Sequence, residues 1–277
     1  MNFLEKLLAA SHKQNSLLCV GLDPEPSHFP PILLGEPVET SIVRFCHAII
    51  TATSPYVCAY KPNLAFFEAL GPIGMAVFQQ VIHAIPPDIP IIVDAKRGDI
   101  GNSARNYAAA IFDVYHCDAV TVNPYLGYDS IAPFLAYRDK GIFLLCRTSN
   151  PSAGDFQDLL VQTDDGQARP LYEVIALRVQ SWNEAGNCGL VVGATYPQQM
   201  QSIRVLCPDL PILIPGIGKQ GGDLEASVRA GVDAQSERAI VSVSRAILYA
   251  DKGNNYAAEA ARQARSLRDQ MNAARGR

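Results

Sequence analysis

The stretch IIVDAKRGDIGNSARNY, residues 91–107, carries the reading of the fold. Its first half is a short apolar run that turns charged at its carboxyl end. Side chains alternate across a strand, so Asp94 and Lys96 point to one face and Ala95 to the other. An aspartate and a lysine closing an apolar strand belong at the rim of a sheet, where they can pair. Asp99 follows in the loop.

Seven more apolar runs resemble this one: LLCVGLD (17–23), YVCAYKPN (56–63), AVTVNPY (119–125), GIFLLCRTS (141–149), CGLVVGAT (188–195), PILIPGI (211–217) and AIVSVSR (239–245). Together with PIIVDAK (90–96) they make eight strands. Most are rich in Val, Ile and Leu with little alternation, as strands buried on both faces are. Helical spacing of apolar residues marks segments 39–53, 74–84, 170–185 and 254–275, with Pro170 at a first helical position. Eight strands joined by crossover helices predict an α/β fold, a single (β/α)8 TIM barrel spanning 1–277. An open doubly wound sheet is the alternative; no early G-x-G-x-x-G supports it. An amphipathic helix over about 1–14 precedes the barrel, and a long irregular loop, about 150–169, follows the fifth strand.

The 277 residues are 48 % hydrophobic and 18 % charged, enough apolar material for a large core. The net charge is −4 and no basic run appears, which disfavours nucleic acid as a partner. No stretch is long and apolar enough for a membrane span, and the N-terminus does not read as a signal peptide. The seven cysteines form no C-x-x-C pair and several lie in apolar runs, so reduced buried thiols of a cytoplasmic protein are expected. The five histidines are dispersed, and no metal-ligand spacing is seen.

A (β/α)8 barrel places its chemistry at the carboxyl ends of the strands. Those ends carry Asp23, Lys61, Asp94 with Lys96, Thr148 with Ser149, and Ser244 with Arg245. Lys61 ends the strand beside Asp94, which predicts a row of alternating sign, Lys61, Asp94, Lys96. A structural ion-pair cluster is the bland alternative, but buried ion pairs are costly to desolvate and are weak evidence of a stabilising role.

The segment DAKRGDIGNSA resembles the D-x-K-x-x-D-I signature of the orotidine 5′-phosphate decarboxylase family. GLDP (21–24), YKPN (60–63), VNPYLG (122–127), RTSNPSAGDFQD (147–158), IPGIGKQGGD (214–223) and VSVSRAILYA (241–250) extend the likeness over nearly the whole chain, in the manner of the type 2 subfamily. The resemblance implies cofactor-independent and metal-free decarboxylation of orotidine 5′-phosphate to uridine 5′-phosphate and CO2. It implies Lys96 as proton donor to pyrimidine C6, Asp94 beside the substrate carboxylate, and Lys61 and Asp23 at the ribose. It implies that Asp99, with Ile100 and Ser103, reaches the neighbouring subunit's site in a homodimer. Ser149 would bond the pyrimidine edge, Pro215 would join the substrate-binding set, and Gln220 and Arg245 would hold the phosphate beside Ser244. Ser244 departs from a family pattern that often has Gly there. Two other readings stay open: a magnesium-dependent sugar-phosphate decarboxylase on the same scaffold, and a phosphate-ligand-binding barrel without activity.

Overall fold

The computed structural model of the protein describes residues 1–163, 165–218 and 222–276. All eight expected strands are present: β1 Leu18–Leu22, β2 Ala59–Pro62, β3 Ile92–Arg97, β4 Ala119–Val122, β5 Gly141–Arg147, β6 Cys188–Val192, β7 Ile212–Ile214 and β8 Ala239–Val243. Each pairs in parallel with its sequence neighbour from β3 round to β8, β8 pairs with β1, and β1 with β2. Bridges at Tyr60–Ile91 and Asn63–Asp94 join β2 to β3, which closes a (β/α)8 barrel.

The strands stop earlier than the apolar runs do. β1 ends before Asp23, β5 before Thr148 and Ser149, and β8 before Ser244 and Arg245, so these residues sit on the loops that ring the mouth. The helices Val38–Thr53, Gly74–His83, Leu171–Trp182 and Tyr256–Ala274 match the expected segments. Pro170 differs: it is the residue before its helix and ends a short strand, because its extended backbone still belongs to a hairpin. The described residues of the stretch 150–169 are likewise not all irregular. They form a short helix, Gly154–Gln157, and a two-stranded hairpin of Leu160–Gln162 against Ala168–Pro170.

Two apolar layers result. The outer one lies between the strands and the helices, with Phe45, Phe67, Phe78 and Phe134 fully buried. The inner one fills the barrel itself with Cys19, Cys58, Ala59, Ile92, Ala119, Phe143, Val191, Leu213 and Ile240. The N-terminal helix Phe3–Gln14 plugs the foot of this inner layer. Asn2 and Glu5 form a reciprocal capping box at its start. That cap holds Phe3 edge-on to Phe143, with ring centroids 5.6 Å apart. All seven cysteines are free and buried. Burial pushes the Cys19, Cys117 and Cys188 thiols up to about 12, which leaves them unreactive near neutral pH. No helix among the described residues is long and apolar enough to cross a membrane.

Candidate active site

The barrel mouth opens into a cavity of about 690 Å³ whose wall includes Asp23, Lys61, Asp94, Lys96, Ser149, Pro215, Ser244 and Arg245. Asp94 is its electrostatic centre. Its Oδ2 accepts from Lys61 Nζ at 2.8 Å, and its Oδ1 accepts from Lys96 Nζ at 2.5 Å and from Thr121 Oγ1 at 3.0 Å. The predicted row of alternating charge is therefore present. The two lysines differ in surroundings: the Lys61 side chain is 6 % exposed and that of Lys96 50 %.

Burial by itself would raise the Asp94 carboxyl, but the Lys61 and Lys96 ammonium groups outweigh it and hold the carboxyl well below the usual carboxylate range. Burial works against the Lys61 ammonium too, yet Asp94 and Asp23 keep it above the ordinary lysine range. Both members of the buried pair are ionised at neutral pH.

Asp23 leaves β1 with its Oδ1 buried and without a hydrogen-bond partner among the described residues. The loop behind it is fixed by Tyr249, whose hydroxyl donates to the Asp23 carbonyl at 3.0 Å and accepts from the Glu25 N–H at 2.7 Å. A buried carboxylate oxygen without a donor is costly, and a ligand hydroxyl would satisfy it. Ser244 packs its side chain over Gly21, where a Cβ would stand 1.9 Å from Ser244 Oγ. The hydroxymethyl group of Ser244 thus occupies space that glycine leaves on β1. Arg245 is exposed at the rim and makes no ion pair among the described residues.

The loop after β5 is built with care. Ser149 backs onto Gly193, where a Cβ would lie 2.7 Å from the Ser149 nitrogen, so only glycine admits this approach. Gln157 brackets Thr148, accepting its N–H at 2.8 Å and donating to its hydroxyl at 2.9 Å. The buried Arg147 guanidinium stacks on Tyr196 at 3.7 Å and donates to Asp158 Oδ2 at 3.0 Å. Its Nε lies 2.9 Å from Asp158 Oδ1, which completes the ion pair.

Asp99, Ile100 and Ser103 do not join this cavity. Asp99 Oδ1 accepts the N–H of Ile100 at 2.8 Å, Ile100 is 54 % exposed, and Ser103 is exposed on the helix Gly101–Ala109. Gln220 lies outside the described residues. The cavity wall also holds Gln157, Ser242 and Thr121, which the sequence did not single out. Gln157 ends the four-residue helix Gly154–Gln157, which is too short to show a period. Ser242 and Thr121 carried a signal, as polar positions in the apolar strands AIVSV and AVTV.

A closed barrel that sets two ammonium groups on one buried carboxylate at its mouth, with a guanidinium after β8, defines an enzyme for a small anionic molecule. Over residues 16–261 the chain matches the orotidine 5′-phosphate decarboxylase / HUMPS family, and it belongs to that family. It is 50 % identical over 272 residues to the orotidine 5′-phosphate decarboxylase of Dehalococcoides mccartyi, covering 98 % of each chain. It is 49 % identical over 277 residues to that of Azoarcus sp., covering 99 % of this chain and 100 % of the relative. Among solved structures, the OMP decarboxylase of Leishmania donovani superposes with a TM-score of 0.87 at 40 % identity, covering 100 % of both chains.

Proposed function

We infer that this chain decarboxylates orotidine 5′-phosphate to uridine 5′-phosphate and CO2, the last step of UMP biosynthesis, with Lys96 and Asp94 at the reacting centre. The observation that carries the residue assignment is the Asp94 carboxylate, gripped from both sides by Lys61 and Lys96 on the cavity wall. When CO2 leaves, the electron pair of the broken bond stays on pyrimidine C6. The Lys96 ammonium stabilises that charge and then donates a proton to C6. Half exposed, Lys96 can regain its proton from solvent. Asp94 stays ionised because its two lysines hold it so, and it sets a negative charge beside the substrate carboxylate that departure of CO2 relieves. The orphaned Asp23 oxygen accepts from a ribose hydroxyl, as Lys61 donates to the ribose. Ser149 bonds the base, Pro215 lines its pocket, and Arg245 with Gln220 and the Ser244 loop holds the phosphate. Phosphate contacts far from C6 orient the reacting end. No cofactor or metal enters this scheme. Seven buried free cysteines suit a cytoplasmic location. The test is the purified protein with orotidine 5′-phosphate and EDTA, followed by loss of orotate absorbance. Turnover is expected to survive the chelator; loss of turnover that magnesium restores would favour the metal-dependent alternative.

The same reading makes the enzyme a homodimer with shared sites. Asp99 stands outside its own cavity, with Ile100 and Ser103 exposed around it, as residues serving a partner would. Inactive Asp99→Ala and Lys96→Ala chains, mixed and allowed to exchange, should regain about a quarter of wild-type activity. This follows because about half the dimers are mixed and one of two sites in each is whole. No recovery after proven exchange would show that Asp99 serves its own chain.

A further inference from the structure

Lys96 meets Asp94 by a route that strand alternation does not provide. Val93 of β3 faces Val120 of β4 and Arg97 faces Val122, so Asp94, Ala95 and Lys96 together oppose the single residue Thr121. This is a bulge, and within it Lys96 adopts φ +45°, a left-handed backbone that side chains with a Cβ seldom take. Something must hold that conformation, and the contacts name it. The N–H groups of Ala95 and Lys96 both donate to Thr121 Oγ1, at 3.1 and 3.0 Å. The same hydroxyl donates to Asp94 Oδ1 at 3.0 Å. A hydroxyl has one proton and two lone pairs, and all three are used here on a residue that is 1 % exposed.

We propose that Thr121 is a positioning residue of the decarboxylase, whose single hydroxyl fixes both the Asp94 carboxylate and the bulged backbone from which Lys96 reaches the substrate. The inference rests on the assignment of Lys96 and Asp94 to the reacting centre. Asp94 Oδ1 accepts from Lys96 and from Thr121 together. When Lys96 turns from Asp94 to pyrimidine C6, Thr121 stays, so the carboxylate does not follow the lysine. Thr121 also keeps the Lys96 backbone in place while the side chain moves. Valine has nearly the volume of threonine but leaves two partly buried N–H groups without their acceptor and Asp94 without its neutral donor.

Steady-state kinetics of Thr121→Val, Thr121→Ser and Lys96→Ala test this. A displacement of catalytic groups by about 1 Å costs on the order of 100-fold, so Thr121→Val should lose about that much in kcat. Its KM should stay within about three-fold, because the ribose and phosphate contacts come from other loops. Thr121→Ser, which keeps the hydroxyl, should recover kcat to within about five-fold of wild type. Should the valine variant fail to fold, Thr121→Ala removes the hydroxyl without new bulk and carries the same expectation. A hydroxyl-free variant with wild-type kcat, a change confined to KM, or a serine variant as slow as valine overturns the proposal while Lys96→Ala is inactive. An active Lys96→Ala enzyme overturns the underlying assignment and this inference with it.

Discussion

The two ends of the barrel are built from the same strands and behave in opposite ways. At the foot, Phe3, Gly141, Phe143, Gly189 and their neighbours leave a void of only about 10 Å³. At the mouth the same ring of strands opens into about 690 Å³ lined by charge. β3 shows the change within one strand, from the fully buried Ile92 in the inner apolar layer to Asp94 and Lys96 at the rim. The foot is close-packed, and each methylene there contributes to stability. The mouth keeps a buried ion pair whose desolvation offsets much of its attraction, a poor choice for stability alone. In β3 the lower half thus packs the core, and the upper half carries the charges of the mouth.

That division can be broken by substitution at either end. The largest effect is expected at the mouth: Lys96→Ala removes the ammonium proposed to stabilise and protonate C6 and should lower kcat by about 10⁴-fold or more. Its melting temperature should stay within a few degrees of wild type, since the side chain is half exposed. At the foot the pattern should reverse. Phe3→Ala should cost about 3–5 kcal/mol of unfolding free energy, read by denaturant titration, with kcat unchanged. If Phe3→Ala slowed turnover as much as it destabilised the fold, the two ends would not be separable.

Smaller effects sharpen the picture of the mouth. Arg245→Ala should lower kcat/KM for orotidine 5′-phosphate by a factor equivalent to about 2–4 kcal/mol. It should leave the reaction of orotidine, which lacks the phosphate, almost untouched; equal losses on both would remove Arg245 from the phosphate site. The smallest effect concerns pH. Asp94 is depressed below its unfolded value of about 3.9, so its contribution to stability is present above that value and lost as pH falls through the folded one. The difference in melting temperature between wild type and Asp94→Asn should hold constant from about pH 7 to 5 and shrink only below about 4. A difference that shrinks already between 7 and 5 would mean that the lysines do not hold the carboxylate ionised.

The barrel was legible because eight Val/Ile/Leu-rich runs ending in turn or charge patterns leave few other folds. The Lys61–Asp94–Lys96 row was legible for a simpler reason, that charges closing neighbouring apolar strands lie within reach of one another. What alternation could not show is the bulge. Lys96 has no glycine to announce its left-handed backbone, and the residue that holds it, Thr121, lies on the next strand. The hairpin within 150–169 was hidden because its strands, Leu160–Gln162 and Ala168–Pro170, are too short to show a period. Asp99 was found by its motif, and its distance from its own cavity is a property of the folded chain that spacing along a sequence does not carry.

The central claim is that the ammonium of Lys96 stabilises and protonates a carbanion at pyrimidine C6. By microscopic reversibility, an enzyme that protonates C6 must also remove the C6 proton from its product. Uridine 5′-phosphate incubated with the enzyme in D2O, followed by proton NMR, reads this without CO2 loss. Wild type should exchange the C6 proton for deuterium, and Lys96→Ala, folded and saturated with the same nucleotide, should not. Exchange at the wild-type rate by Lys96→Ala would contradict the account.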